Sequence, residues 1–253
     1  MRTVRVAATL LAMAVAVGAC GTSSGNQAKH QSGHMPQEFD RVAVEQALLK
    51  PSDLPATVSA RNQPPMTVGL DTQSMSYVSQ KQPLNGAIFS PATCASMLNS
   101  GFPDVSKLQG LTRVFANRTD PAKGGGQPFQ GGMVANAVVP GPASADLARV
   151  LRTVATCANG TVTLTAFNVT GKLTQRVVTP PKVGADGVIS FKQTVTFPKL
   201  PAQAQGFATM FNADAVYMTK GNMTVWVSTN GDAGVAAADL APRALERAVA
   251  ALD

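Results

Sequence analysis

The sequence predicts an α+β fold: a largely antiparallel β-sheet with helices packed on one face. Three observations lead there. From residue 38 onward, helical and strand periods alternate in the order helix, strands, helix, strands, helix. Short turn sequences separate the strand-like runs of the C-terminal half, which favours hairpins over long crossovers. Two of those runs, Ala213–Lys220 and Met223–Ser228, are joined by Gly221-Asn222 alone. Glycine first in a two-residue loop suits a type II′ turn.

The elements follow in chain order. Phe39, Val42, Gln46 and Leu49 share one helical face, and Pro51 ends that segment. Pro51-Ser52-Asp53-Leu54-Pro55 reads as a turn. Ser90-Pro91 is a cap followed by proline at the first helical position, and the short helix it opens carries Cys94, Met97 and Leu98 on one side. Thr112–Thr119 and Met133–Val139 read as strands flanking the glycine-rich loop Lys123–Pro128. Ser144 caps a stronger helix, in which Leu147, Val150, Leu151 and Val154 recur at helical spacing and lead to Cys157. Thr161–Val178, broken at Gly171, and Val188–Phe197 are long strand segments. Asp239 caps the last helix, whose stripe is Ala241, Leu245, Val249 and Leu252.

The final hairpin allows a register to be written down. Lys220 faces Met223, Thr219 faces Thr224, Met218 faces Val225, Tyr217 faces Trp226 and Val216 faces Val227. Val216, Met218, Val225 and Val227 then form an apolar face suited to the helices. The opposite face carries Tyr217, Thr219, Thr224 and Trp226, and Thr161, Thr163, Thr165, Lys192, Thr194 and Thr196 are expected to extend it. An aromatic pair in a field of hydroxyls is a candidate shallow binding surface for an envelope lipid, a glycan or a peptide.

The N-terminus reads as an address. Arg2 and Arg5 precede the uncharged run Val6–Val17, which falls well short of the about 20 residues that span a bilayer. Val17-Gly18-Ala19-Cys20 closes the run. A basic start, a short apolar run and small residues before a cysteine have the form of a bacterial lipobox. Residues 1–19 are expected to be a signal peptide, and Cys20 the site of diacylglycerol or palmitate attachment. Residues 20–37 are polar and rich in Gly, Ser and Gln, a flexible tether. Residues 38–253 are expected to form a single domain. Two acyl chains hold a protein stably on a membrane, so the expected location is the cell membrane, facing the extracytoplasmic side.

Export bears on the other two cysteines. Disulfides persist outside the cytosol, so Cys94 and Cys157 are expected to pair. The chain carries 21 Lys and Arg against 14 Asp and Glu, a formal net charge of +7. These charges are scattered without interleaved aromatics, which argues against nucleic acid as a partner. The only histidines, His30 and His34, lie in the tether, so the domain has none to activate a serine or cysteine. No motif predicts a cofactor, a metal or a catalytic residue. Asp186, Asp214 and Asp232 sit in or beside turns, where aspartate is frequent for local hydrogen-bonding reasons.

Pro91-Ala92-Thr93-Cys94-Ala95, Cys157-Ala158-Asn159-Gly160-Thr161 and Asp53-Leu54-Pro55 carry a family resemblance. With the acylated leader and polar tether, they resemble mycobacterial envelope lipoproteins that share the extracellular sensor domain of PknH-type serine/threonine kinases. The resemblance covers roughly residues 40–253. It implies an antiparallel sheet with helices on one side and a ligand cleft. That family usually carries two disulfides, whereas this domain holds the cysteines for one.

The resulting expectation is a lipid-anchored, non-catalytic ligand-binding or sensor-like domain. Two other readings compete with it: an interaction lipoprotein that scaffolds envelope proteins, and a hydrolase working through paired carboxylates.

Overall fold

The alternating segments form one sheet, every pairing of which is antiparallel. The structure, a computed structural model, describes residues 39–55, 60–62, 66–68, 87–92, 94, 110–117, 132–141, 144–201, 208–209 and 211–253. The expected leader, Cys20 and its tether, the 123–128 loop, Met97 and Leu98 lie outside the described residues.

The strands are β1 (Ala60–Asn62), β2 (Met66–Val68), β3 (Ala87–Ser90), β4 (Gly110–Asn117), β5 (Met133–Pro140), β6 (Gly160–Leu164), β7 (Val169–Val178), β8 (Gly187–Thr196), β9 (Ala213–Lys220) and β10 (Met223–Asn230). Their order across the sheet is β1-β4-β5-β10-β9-β8-β7-β6-β3, and β2 also pairs with β4. The helices among the described residues are α1 (Arg41–Ala47), α2 (Ser144–Thr156) and α3 (Ala237–Leu252).

The α+β class and the antiparallel sheet are as expected. The helices, however, are divided between the two faces rather than gathered on one. α1 and α3 pack over Val134, Val138, Val216, Met218, Val225 and Val227. α2 lies on the other side, where Val150 and Val154 pack against Ala137, Val139, Ile189, Phe191, Tyr217 and Trp226. The reason lies in the central strands. β9 and β10 are apolar on both faces, so each face requires a cover. Tyr and Trp each remove roughly 150–250 Å² from water, on the order of 4–6 kcal/mol per ring at about 25 cal/mol per Å². That gain favours seating α2 on the aromatic side.

Local departures have local causes. Asp40 caps α1 by accepting from the N–H groups of Val42 and Ala43, so the buried stripe is Val44, Ala47 and Leu48 and Val42 stays 66% exposed. The 161–178 segment breaks at residues 165–168, not at Gly171. Asn168 takes the left-handed conformation (φ 48°), which its short polar side chain tolerates, while Gly171 is paired with Val162 inside β7. α3 begins at Ala237 with Ala236 as its cap, and Asp239 lies in the first turn.

One buried polar side chain joins the layers. Asn136 on β5 is fully buried. Its Oδ1 accepts from Leu49 N–H at 2.8 Å, and its Nδ2 donates to the Trp226 carbonyl at 2.9 Å. It thereby ties the end of α1 to β10. Asn136→Ala strips partners from two buried backbone groups and is expected to destabilise the domain by about 2 kcal/mol in urea denaturation. A change below about 0.5 kcal/mol would show that the clamp is not needed.

Candidate functional site

Cys157 follows the last turn of α2, and Cys94 follows edge strand β3. The expected disulfide is present: the two residues are bonded with a Cα–Cα distance of 5.7 Å across 63 positions of sequence. Both are fully buried among Val162, Leu164, Leu173, Val195 and Phe211. The bond joins the end of α2 to the β3 edge of the sheet.

The candidate ligand residues are brought together in the expected register. Tyr217 is opposite Trp226 and Thr219 is opposite Thr224, across a turn in which Gly221 alone has positive φ (51°), the type II′ pattern. The two rings lie 6.0 Å apart, and Phe191 stacks on Tyr217 at the same centroid distance. Their exposure is not as expected. Tyr217 is 0%, Thr224 0%, Trp226 4% and Thr219 7% exposed, so the open shallow surface is instead a second core beneath α2. Burial pushes the Tyr217 phenol well above its ordinary range. Gly187 helps α2 sit this close. A Cβ there would meet the Leu147 Cδ1 at 2.6 Å and the Thr219 Oγ1 at 2.9 Å.

Register also separates what the sequence reading joined. Lys192 is opposite Asp214, which shares a face with Val216 and Met218. Lys192, Thr194, Thr196, Thr161 and Thr163 therefore lie on the reverse side of the sheet from Tyr217 and Trp226. Thr165 stands outside the strands, in the 165–167 turn.

Carboxylates serve as structural clamps. Asp186 accepts from Gly221 N–H at 2.8 Å and from the Lys220 Nζ at 3.0 Å, and these bonds hold its pKa below the ordinary value. Asp214 pairs with Lys192 at 3.5 Å. Asp53, whose side chain is 3% exposed, accepts from Arg247 through both Nε and Nη2, from Arg243 Nε at 3.1 Å and from Lys50 N–H at 2.7 Å. Burial alone would raise its pKa; the bonds from Arg247, Lys50 N–H and Arg243 outweigh burial and hold it low. Asp53 and Asp186 are thus kept ionised, the opposite of a carboxyl poised as a general acid. Among the described residues no three His, Cys, Asp or Glu gather as metal ligands, and no helix is long and apolar enough to cross a membrane.

Sequence reasoning missed Asn136 and the buried pair Gln175 and Gln193. Gln175 Nε2 donates to Gln193 Oε1 at 2.6 Å, and Gln193 Nε2 donates to the Phe211 carbonyl at 2.8 Å. Their only signal was position: both occupy core-facing places in strands that otherwise alternate apolar residues there.

Fold and site together define an α+β domain with a helix-covered aromatic core and one buried disulfide at the sheet edge. No protein-family model matches the chain, and no curated protein matches it. Among solved structures, the chain is similar to the extracellular domain of PknH from Mycobacterium tuberculosis, with 16% identity and a TM-score of 0.49, covering 86% of this chain and 97% of that one. It is also similar to an uncharacterized protein of Mycobacterium smegmatis, the Rv0999 ortholog, with 16% identity and a TM-score of 0.39, covering 83% and 96%.

Proposed function

We propose that the chain is a lipid-anchored envelope protein. In this reading Cys20 carries the acyl anchor, residues 21–37 form the tether, and the domain stands outside the cytosol as a non-catalytic, ligand-binding or sensor-like module. The observation that supports it is the Cys94–Cys157 bond. Such a bond belongs to an oxidising compartment, and it leaves Cys20, within Val17-Gly18-Ala19-Cys20, as the remaining cysteine of the chain's three. Asp53 and Asp186 are held ionised by their cationic and backbone partners, so neither is the raised-pKa carboxyl that a general acid needs.

The ligand-binding part of the reading keeps to Tyr217, Trp226, Thr219 and Thr224. Because these are buried, a ligand reaches them by parting α2 from the sheet, and binding is coupled to the placement of that helix. Trp226 is the chain's single tryptophan, so its emission reports this face alone. Titration with envelope lipids and glycans is expected to shift that emission for the cognate class. A flat response to every class would remove the ligand site from this face. For the anchor, Cys20→Ser is expected to abolish incorporation of labelled fatty acid and to release the protein from the membrane fraction. Undiminished labelling of the variant would end the lipobox reading.

A further inference from the structure

The sheet has one broad face over β6, β7 and β8 that no described helix covers. α1 and α3 pack on this side only over β4, β5, β9 and β10, together with Val188 at the start of β8. The uncovered part carries Lys172, Thr174 and Arg176 on β7 and Lys192, Thr194 and Thr196 on β8, all exposed except the half-buried Thr174. Lys172 and Arg176 stand roughly 13 Å apart along one strand at about 3.3 Å per residue. Arg176 is directly opposite Lys192. Two cations facing each other across a pair of strands repel and destabilise it. Neither Lys172 nor Arg176 has a carboxylate partner among the described residues, and Asp214 pairs with Lys192 alone. Two unneutralised cations, Lys172 and Arg176, set among threonine hydroxyls beside the Lys192–Asp214 pair, call for an anion.

We infer that this face docks the domain on a bilayer through anionic phospholipid headgroups. Its two unpaired charges stand roughly 13 Å apart on β7 beside the threonines of β8, a spacing that suits separate phosphates of a planar surface. No aromatic ring stands among these residues to stack on a sugar, which disfavours a glycan as the occupant. The inference rests on the proposed anchor, because a tether holding the domain near a membrane raises the local concentration of headgroups.

The test uses the chain from residue 20 onward with Cys20→Ser, which keeps every described element and carries no acyl chain. Binding is measured by co-sedimentation with vesicles of phosphatidylcholine alone and of phosphatidylcholine with phosphatidylglycerol. Binding is expected only to the anionic vesicles and is expected to disappear in about 0.5 M salt, where the Debye length falls to a few ångströms. Lys172→Glu and Arg176→Glu are each expected to weaken it about fivefold to tenfold. Arg152→Glu makes the same charge change on α2, which packs on the other face, and is expected to leave binding nearly intact. Three results would overturn the inference: equal binding to both vesicle types, an equal loss from Arg152→Glu, or capture by a soluble anionic polysaccharide without capture by vesicles. Circular dichroism confirms that the variants fold. Because the probe carries no lipid, failure here is separable from failure of the Cys20 acylation experiment.

Discussion

Replacing Cys94 and Cys157 together by alanine is expected to lower the stability of the domain by about 4 kcal/mol. The bond closes a loop spanning 63 positions, and in the chain-entropy model a loop of that length constrains the unfolded chain by about this amount. For a domain of this size the melting temperature should fall by roughly 8–16 °C, at about 2–4 °C per kcal/mol. The loss should also be local in character. Cys157 is where α2 ends, so without the bond the last turn of α2 is no longer held to the β3 edge. Hydrogen exchange is expected to rise first in α2, and the emission of Trp226 beneath it to shift to the red. Calorimetry with and without reductant gives the magnitude. A fall in melting temperature of less than about 3 °C would mean that the bond adds little to packing that already suffices.

Asp53→Ala is expected to cost about 3 kcal/mol, because it removes one acceptor from two arginines and a backbone N–H at once. The partly buried guanidinium of Arg247 then loses its carboxylate partner, and the turn after α1 loses its link to α3. The same carboxylate predicts a pH dependence. Its folded pKa is depressed below the ordinary 3.8, so the unfolded chain takes up a proton at a higher pH than the folded one. Its contribution is therefore complete above about pH 4 and is lost as pH falls through the folded value. Urea midpoints measured from pH 6 to pH 2.5 should fall in the wild type. In Asp53→Asn, which has no charge to titrate at that position, the fall should be shallower. Parallel curves for the two proteins would show that Asp53 is not the group responsible.

The particular elements show where sequence reasoning succeeds. The β9–β10 hairpin was legible to the residue, since Gly221-Asn222 sets the turn and strict alternation sets the rest. The disulfide was legible because two cysteines remained once Cys20 was assigned to the lipobox. The Asp53 clamp was visible only as the short motif Asp53-Leu54-Pro55, because its partners Arg243 and Arg247 lie about two hundred positions away. Asn136 left no mark, since an asparagine in a strand looks the same whether it is solvated or holds two buried backbone groups.

By itself, then, the sequence determined the class of fold, the pairing of the last hairpin and the division of each strand into two faces. Those features follow from near neighbours and from a period of two. Only the tertiary structure decided which face is covered. α2 and Tyr217 are brought together by packing between distant segments, and that contact turned the expected open aromatic surface into a core. The same packing left the Thr and Lys field of β7 and β8 as the side turned toward solvent. Alternation distinguishes two faces of a sheet, but the helix that buries one of them is supplied from elsewhere in the chain.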